Sequence, residues 1–418
     1  MRGAVAAALL ASVAATTMVS TPAQAAVPNT TNLTIVGSDT TQDVMSTIAG
    51  LTTPGAGTVI ANINATQATP VTVPSDSTCS TAITWHNAPG AGETQSPNGS
   101  GAGKTALKGE ETAGTAGTPR GCVDIARSSS APSNVAGGDS LQFEYYAYAM
   151  DSVSAVTASP YAPGSISQAD LIKIYNCTFT DWAQLPGGGE GPIQRYIPNN
   201  ANSGTAKFFK SDMIPGVANG GVGITAAAGT VPGSPYACPD VVVGGEENDF
   251  KNIVTANHDS AILPFSTGQW LFMAKLRLNP TLDLRYGTRV LGQVTGTSVN
   301  ANVIVWEPLN SNYRVNAGTT AQTPVNEANI AVNTASPDFR GIRYIYNVVD
   351  KVLPGYADAK DMVGFTNTGG GTKSALCSNG FSSTITSAGF QPLSTSTTSG
   401  DGTHNAAGST CRQFLVTS

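Results

Sequence analysis

The chain has 418 residues, a formal net charge of −6 and only 11% charged residues, whereas roughly 25% is usual for globular domains. Because no basic stripe is present and affinity for nucleic acid needs clustered Lys and Arg, this composition disfavours a nucleic-acid-binding protein. No run after the N-terminal segment is apolar enough to predict a membrane-spanning helix.

The N-terminal segment has the pattern of a secretory signal peptide. Arg2 begins it, the run from Ala4 to Val19 is mostly apolar, and Ala23-Gln24-Ala25 fits an A-x-A cleavage site. No cysteine lies directly after the apolar run, where a lipid would be attached, so we expect no lipid anchor. We therefore expect a freely secreted protein whose mature chain begins near Ala26.

Six cysteines form an even set in this export context, which favours disulfide bonds over metal ligation. Six cysteines allow about 15 pairings, so the sequence predicts no particular connectivity. The predicted half-cystines are Cys79, Cys122, Cys177, Cys238, Cys377 and Cys411.

Taken in chain order, the mature sequence alternates segments that have the patterns of strands and helices. Predicted strands are Leu33–Val36, Cys122–Ala126, Ile193–Ile197 and Ala261–Phe265, with more β structure between Leu282 and Val325. The segment Phe143–Val156 is aromatic and apolar without strong turn signals. Predicted helices are Thr40–Leu51, Lys104–Glu111, Ser167–Tyr175, Ala206–Met213, Asp249–Ala256 and Arg340–Val352. The tail from Ser394 to Thr410 is predicted as a surface hairpin or loop. This alternation predicts an α/β fold, and we place a crossing between two domains near Tyr148.

Three short Gly/Ser/Thr loops each precede a segment that has a helical pattern: Gly37–Thr41, Gly99–Gly103 and Asn202–Thr205. The N-terminus of a helix leaves backbone N–H groups without intrahelical partners and carries positive potential from the macrodipole. Hydroxyl-bearing caps and compact glycines suit a tetrahedral anion there, so the loops predict a small-oxyanion site. A negatively charged protein can hold such an anion, because fixed dipoles act at short range while distant charges are screened.

The alternative for these loops is ordinary helix capping, which Ser and Thr provide in many proteins without touching a ligand. Asp39 would repel an anion unless its carboxylate points outward and caps the helix. Gly103-Lys104-Thr105 is similar to the end of a nucleotide-binding loop, but Asn98 stands where that motif requires glycine.

The sequence gives less support for a catalytic or metal-binding site than for an anion site. Ser266-Thr267-Gly268 lacks the G-x-S-x-G elbow of hydrolases. A run of carboxylates is more typical of a solvated face than of an acidic site; this run comprises Glu246, Glu247 and Asp249. The histidines lack the spacing of metal ligands; they are His86, His258 and His404. We therefore predict no catalytic residue, no metal site and no cofactor.

The order of these segments resembles the phosphate-binding proteins of ABC transporters, within the type 2 periplasmic-binding-protein superfamily. Leu33–Thr41 is similar to the family's first strand and capping loop, and Gly99–Gly103 to its second glycine-rich anion loop. Val123–Ala126 followed by Ser128–Pro132 is similar to the strand and loop that end in Ser-Asp-Ala-Pro. Asn202–Ala206 is similar to Gly-Ser-Gly-Thr at a helix start. Further matches in the same order are Ser167–Trp182 and Ser260–Phe265, whereas the segment from about Thr267 to Ala328 aligns poorly.

The resemblance implies two α/β lobes, with the ligand in a cleft that closes by hinge motion. The expected division is a signal peptide at 1–25, lobe 1 at 26–147 and 331–418, and lobe 2 at 148–330. The implied function is that of an extracellular solute-binding protein, not an enzyme, which captures phosphate or a related small oxyanion for an ABC-type permease. We expect a monomer with no nucleic-acid partner.

The implied ligand-binding set is Ser38, Thr40, Thr41, Ser100, Gly101, Arg127, Ser128, Ser130, Asn199, Ser203, Gly204 and Thr205. Two positions depart from the family, because Asn199 stands in place of its arginine and Ser130 in place of its aspartate. That aspartate accepts a hydrogen bond from a protonated phosphate oxygen, and the arginine supplies positive charge. The two departures therefore imply altered selectivity for the ligand. Arg127 can supply the missing charge, since a guanidinium grips an oxyanion in two places. The alternative for Arg127 is a bridge to Asp124 or another carboxylate.

A second hypothesis is a secreted enzyme or cell-surface interaction protein that reuses the two lobes without a transport role. The missing lipid-anchor cysteine and the replaced charge pair favour this hypothesis. The three cap-like loops favour the solute-binding protein.

Overall fold

The computed structural model describes residues 32–51, 59–68, 71–73, 95–109, 121–198, 202–215, 241–243, 257–275, 285–294, 305–306, 313–315, 322–324, 341–364, 376, 381–393 and 411–416. Three predicted segments lie wholly outside the described residues: the signal peptide, the helix Asp249–Ala256 and the loop Ser394–Thr410.

The described strands and helices alternate along most of the chain. Strands β1 to β16 are Leu33–Gly37, Ile60–Asn62, Ile125–Ser128, Phe143–Thr157, Ser165–Ser167, Gln194–Ile197, Val241–Val243, Ala261–Ser266, Arg289–Val290, Gly292–Val294, Val305–Trp306, Tyr313–Val315, Gln322–Pro324, Ile342–Asp350, Gln391–Pro392 and Arg412–Leu415. Helices α1 to α7 are Gln42–Leu51, Ser100–Lys108, Gln168–Tyr175, Gly204–Phe208, Thr267–Lys275, Tyr356–Val363 and Ser382–Ser387.

Local sequence accounts for where the first helices form. In α1 the buried apolar residues are Val44, Met45 and Ile48, whose spacing places them on one helical face toward the core. In α3 Ser167 is the N-cap, because its hydroxyl accepts a hydrogen bond from the Asp170 amide at 3.0 Å.

One large sheet of eleven described strands organises the molecule, and its main path runs β2-β1-β3-β14-β4-β8-β6-β7. β1 pairs in parallel with β2 and β3, and β6 pairs in parallel with β7 and β8. Between these two parallel groups, β14 and β4 run antiparallel to their neighbours. Helices α1, α2 and α4 lie in the connections between these parallel strands, as parallel pairing requires a crossover.

β4 belongs to both halves of this sheet. Its residues 143–152 pair with β14, and its residues 153–157 pair with β8. All 15 of its residues are buried. One apolar core surrounds β1, β3, β14 and the first part of β4, while two others surround α3, β6, β8 and the second part of β4. We call these parts lobe 1 and lobe 2.

The predicted α/β class and its division into two lobes are therefore confirmed. The division into residues 26–147, 148–330 and 331–418 stays a prediction. Among the described residues, no helix combines the length and apolarity needed to cross a bilayer.

One predicted helix is wrong. The segment Arg340–Val352 contains the strand β14, Ile342–Asp350, which pairs on both sides with β3 and β4. A strand buried on both faces has a nearly continuous apolar sequence, so its pattern does not distinguish it from a buried helix.

Two predicted boundaries also move. Helix α2 begins at Ser100 and not at Lys104. Strand β3 includes Arg127 and Ser128, whereas the predicted strand ends at Ala126.

No described cysteine is a free thiol. Cys122, Cys177 and Cys411 are each disulfide-bonded. The other three cysteines lie outside the described residues, so the connectivity of the set stays open.

A buried ion pair stands where β4 passes from lobe 1 to lobe 2. Arg343 and Asp151 are paired across β14 and β4, with Nη2 and Oδ2 at 2.8 Å and side chains only 1% and 0% exposed. The other Asp151 oxygen accepts from the Ser266 hydroxyl at 2.9 Å and from the Gly268 amide at 3.0 Å. The carboxylate thus joins β4, β14 and the start of α5.

We predict that Asp151→Asn lowers the free energy of unfolding by about 3–5 kcal/mol, because removing one partner leaves the Arg343 guanidinium buried without its counter-charge. Urea unfolding measures the change. The matched control is Lys173→Gln, which breaks an ion pair whose lysine is 44% exposed and is expected to cost less than about 1 kcal/mol. Equal losses in the two variants would contradict a special role for the buried pair.

Candidate anion-binding site

Four turns from both lobes bring their hydroxyl groups together. The Ser38 hydroxyl donates to Ser129 Oγ at 3.1 Å, and Ser100 Oγ lies 3.2 Å from the same atom. From lobe 2, Thr205 Oγ1 lies 3.4 Å from Thr40 Oγ1. We call these five residues the hydroxyl cradle. The loops at Ser38 and Ser203 and the start of α2, which the sequence analysis predicted to share one site, are therefore neighbours in space.

Close packing of two glycines brings the first two turns together. Strand β1 ends at Gly37, whose φ of +114° is in the left-handed region that favours glycine. A Cβ atom on Gly37 would lie 2.6 Å from Arg127 O, and one on Gly103 would lie 2.6 Å from Gly37 Cα. Only glycines allow β1 and α2 to approach this closely, and that approach places Ser38 and Ser100 side by side.

The lobe 2 turn contributes a capped helix start. The Ser203 hydroxyl accepts a hydrogen bond from the Ala206 amide at 2.9 Å, and the helical run continues beyond α4 as a π-helical turn, Phe209–Met213. A Cβ atom on Gly204 would lie 2.3 Å from Ser129 Oγ and 2.5 Å from Ser100 Oγ. Gly204 therefore lies directly against the lobe 1 hydroxyls.

The cradle is buried and carries no formal charge on its own side chains. Ser38, Thr40, Ser100 and Thr205 are each 0% exposed, and Ser129 is 1% exposed. Hydroxyl groups can donate or accept hydrogen bonds, and the starts of α2 and α4 add backbone N–H groups with positive potential. Such an arrangement can solvate a small anion without water.

Arg127 lies beneath the cradle and supports its first loop. The guanidinium donates to Ser38 O at 3.0 Å, to Gly37 O at 3.1 Å and to Ile35 O at 3.4 Å, and it also contacts Asn62. Burial lowers the pKa of Arg127 to about 10, so the group stays protonated at neutral pH.

These bonds correct two expectations about Arg127. Its donors are occupied by carbonyl groups of the protein, so the geometry supports a positioning role and not the two-point grip on an anion that the sequence analysis suggested. The suggested bridge to Asp124 is also not the observed arrangement, because Asp124 Oδ2 accepts from the Thr34 amide at 2.8 Å.

Asp39 is an acid inside the first loop. It is 1% exposed, and its Oδ1 accepts a hydrogen bond from the Thr40 amide at 3.0 Å. Its charge also opposes the lowering of the Arg127 pKa, which places the two groups near each other. The carboxylate is therefore partly balanced by the guanidinium beneath the loop.

The other residues of the predicted binding set are not part of the hydroxyl cradle. The Gly101 amide donates to Asn202 O at 3.0 Å and links the two helix starts. Ser128 donates to Ser130 O at 2.8 Å within its own turn, and Thr41 is buried beside the cradle. Asn199 lies outside the described residues.

The sequence analysis missed two residues at this site. Ser129 bonds to both Ser38 and Ser100, and its own amide donates to Ser100 Oγ at 2.9 Å. Its neighbours Ser128 and Ser130 were in the predicted set, so the prediction found the right loop and chose the wrong residues in it. Arg343 donates to Ser129 O at 3.2 Å. It comes from a segment far away in the sequence, and no local signal points to it.

Other kinds of site have no support in the part of the chain that the structure describes. No group of three or more His, Cys, Asp and Glu side chains there could hold a metal ion. His258 lies beside Asp259 at the surface, with Nδ1 and Oδ1 at 2.6 Å. The other chemistry-bearing candidates, His86, His404, Glu246, Glu247 and Asp249, lie outside the described residues.

Comparison with solved structures finds similar chains of low identity. An ABC-type phosphate transport receptor from Vibrio cholerae is 14% identical, with 86% of this chain and 99% of that chain covered and a TM-score of 0.43. A phosphate binding protein from Stenotrophomonas maltophilia is 15% identical, with 88% and 91% covered and a TM-score of 0.44. An ancestral soluble variant of the human phosphate binding protein is 15% identical, with 87% and 91% covered and a TM-score of 0.45. No curated protein sequence matches.

The family comparison is more direct. A family model described as a PBP superfamily domain matches residues 22–250, which is more than half of the chain. The resemblance inferred from the sequence is confirmed at this level, and the prediction that the protein is not an enzyme agrees with a family of binding proteins. The chain belongs to the PBP superfamily.

Proposed function

We propose that this protein is an extracellular solute-binding protein that captures phosphate or a related small oxyanion in the hydroxyl cradle and delivers it to an ABC-type permease. The observation that carries the proposal is the convergence of hydroxyl groups from both lobes, with Thr205 Oγ1 only 3.4 Å from Thr40 Oγ1. A cradle shared between lobes holds a ligand in the way expected of a cleft-closing binding protein.

The hydrogen bonds that the proposed cradle offers are of the same order in free energy as the cost of association. A hydrogen bond to a charged group contributes about 1.5–3 kcal/mol, and association costs about 4–15 kcal/mol of translational and ordering free energy. Four or five such bonds from preorganised hydroxyls and amides therefore offset most of that cost. The full burial of the cradle strengthens them further, since charge–dipole interactions are stronger away from water.

Contacts between the lobes support coupling of binding to closure. Besides the Thr40–Thr205 contact, the Gln269 side chain of α5 donates to Asp43 Oδ2 of α1 at 2.7 Å. Burial raises the pKa of Asp43, and the bond from Gln269 opposes that shift. These contacts form when the lobes approach, so a ligand that fills the cradle favours the same closed arrangement.

Export and partners follow from the sequence. The predicted signal peptide at 1–25 and a cysteine set without free thiols among the described residues support a secreted protein in an oxidising environment. Phosphate is the anion named for the similar solved structures, and it is therefore the first ligand to test. The proposed protein is a monomer whose partners are the anion and a permease.

We predict that phosphate raises the melting temperature of the purified mature protein. At a hundred times its dissociation constant, a ligand that binds only the folded state stabilises it by about 2.7 kcal/mol. A thermal-shift screen with phosphate, sulfate, arsenate, sugars and amino acids measures this effect. If none of these compounds shifts the transition, the alternative of a secreted enzyme or surface protein that reuses the fold replaces the proposal.

We predict that Gly204→Ala abolishes phosphate binding, because the new methyl group would lie within 2.5 Å of the Ser129 and Ser100 hydroxyls. Isothermal titration calorimetry measures the affinity. The control is Gly50→Ala on α1, where a Cβ atom meets nothing within 4 Å and the helix gains up to about 1 kcal/mol. Wild-type affinity in Gly204→Ala would place the ligand elsewhere.

We also predict that the double variant Ser203→Ala, Thr205→Ala loses its phosphate response while keeping its fold. Loss of the Ser203 N-cap costs about 1 kcal/mol of stability, so the control is a variant that removes another N-cap serine. Ser167→Ala removes the cap of α3 in the body of lobe 2 and is expected to cost about as much stability with no change in affinity. Unchanged phosphate affinity in the double variant would refute the site assignment.

A further inference from the structure

One face of helix α4 in lobe 2 lies against lobe 1. Gly204 and Phe208 are one helical turn apart, so both are on the same face of this helix. A Cβ atom on Gly204 would lie 2.3 Å from Ser129 Oγ. One turn further along, the centre of the Phe208 ring lies 5.9 Å from Cζ of Arg343, which is on β14 of lobe 1. Lobe 2 therefore meets lobe 1 at two points of one helix face.

The Arg343 guanidinium, over which Phe208 lies, holds the backbone of the central cradle residue. Its Nε and Nη2 donate to Asp151 Oδ2 at 3.1 Å and 2.8 Å, and its Nη1 donates to Ser129 O at 3.2 Å. A guanidinium can form such bonds along its edge while an aromatic ring covers its face. Phe208 thus contacts the cation that fixes the Ser129 carbonyl.

Both points of contact lead to Ser129, and Ser129 is central to the hydroxyl cradle. Its Oγ lies 3.1 Å from Ser38 Oγ and 3.2 Å from Ser100 Oγ. Gly204 of lobe 2 approaches this hydroxyl directly. Phe208 approaches the other end of the same residue through a cation. The position of α4 therefore bears on the side chain and the carbonyl of Ser129 together.

Burial makes the contact between ring and cation strong. Arg343 is 1% exposed and Phe208 is 9% exposed, and a cation–π contact is stronger when the cation is removed from water. Phe208 belongs to the apolar core of lobe 2, whereas Arg343 is on a strand of lobe 1. Separation of the lobes would break this contact, so it stabilises only the arrangement in which they meet.

We propose that Phe208 is a positioning residue of the anion site: its ring packs on the Arg343 guanidinium when the lobes close, and through Arg343 it holds the Ser129 turn around the bound oxyanion. This inference rests on the proposed function. Phe208 does not touch the anion. It stabilises the closed and occupied form, and it thereby slows release of the anion.

The competing explanation is that Phe208 only fills the core of lobe 2. The next residue, Phe209, provides a matched control, because it is 0% exposed and its ring packs on Tyr175 within lobe 2, with ring centres 4.9 Å apart. If Phe208 only fills the core, replacing either phenylalanine lowers the stability of the fold and leaves the rate of anion release unchanged.

The experiment compares the full mature chain with Phe208→Leu, Phe208→Met and the control Phe209→Leu, using inorganic phosphate as the probe. Calorimetry gives the dissociation constant of each protein, and stopped-flow fluorescence gives its association and dissociation rate constants. Thermal unfolding without phosphate gives its stability. Phe208→Met keeps a long apolar side chain without the ring, and it decides the question if Phe208→Leu fails to fold.

We expect both Phe208 variants to release phosphate about threefold to thirtyfold faster, with a matching loss of affinity. Their association rate constants are expected to stay within about twofold of the parent's, because the anion enters an open form in which the ring and the cation are apart. Phe209→Leu is expected to melt at a lower temperature and to bind and release phosphate as the parent does.

The inference is overturned if both Phe208 variants release phosphate at the parental rate, or if Phe209→Leu accelerates release as much as they do. Slower association with unchanged dissociation also overturns it, since the ring would then act on the open form. A parent protein that binds no oxyanion overturns the proposed function and this inference together. A parent that binds phosphate, with parental rates in the Phe208 variants, overturns this inference alone.

Discussion

The site depends on glycines that allow backbone segments to approach each other closely. Gly37 and Gly103 let β1 and α2 touch, and Gly204 lets the lobe 2 helix start lie against the lobe 1 hydroxyls. Helix starts and serine turns are common in proteins, and alone they make no site. Here glycines remove the side chains that would otherwise hold the turns apart, so that groups distant in sequence act on one small volume.

Charge is arranged around this volume and not within it. The Arg127 guanidinium bonds to the carbonyls of Gly37 and Ser38, and the Arg343 guanidinium pairs with Asp151 while it also donates to Ser129 O. Buried cations that are satisfied in this way position the turns and polarise their peptide groups. In the proposed site, direct contact with an anion is left to hydroxyls and amides.

The sequence predicted the elements that have local signals and missed those that depend on tertiary context. Capping residues and glycine-rich loops identified three of the four turns, and alternation identified the α/β class. β14 was taken for a helix because burial on both faces removes the periodicity that separates strand from helix. Ser129 and Arg343 reach the site through pairing of distant strands, and Arg127 was assigned the wrong partner because a guanidinium beside a loop has several neighbours in space that sequence does not show.

β4 explains how one site can report on the position of both lobes. Its first part pairs with β14 and its second part with β8, so any bending between the lobes acts on Ser152 and Val153, where the two pairings meet. Asp151 lies beside this junction, and its carboxylate is joined to Ser266 and Gly268 at the start of α5. Under the proposed function, filling the hydroxyl cradle favours one arrangement of the two lobes about this strand, and a permease would recognise that arrangement.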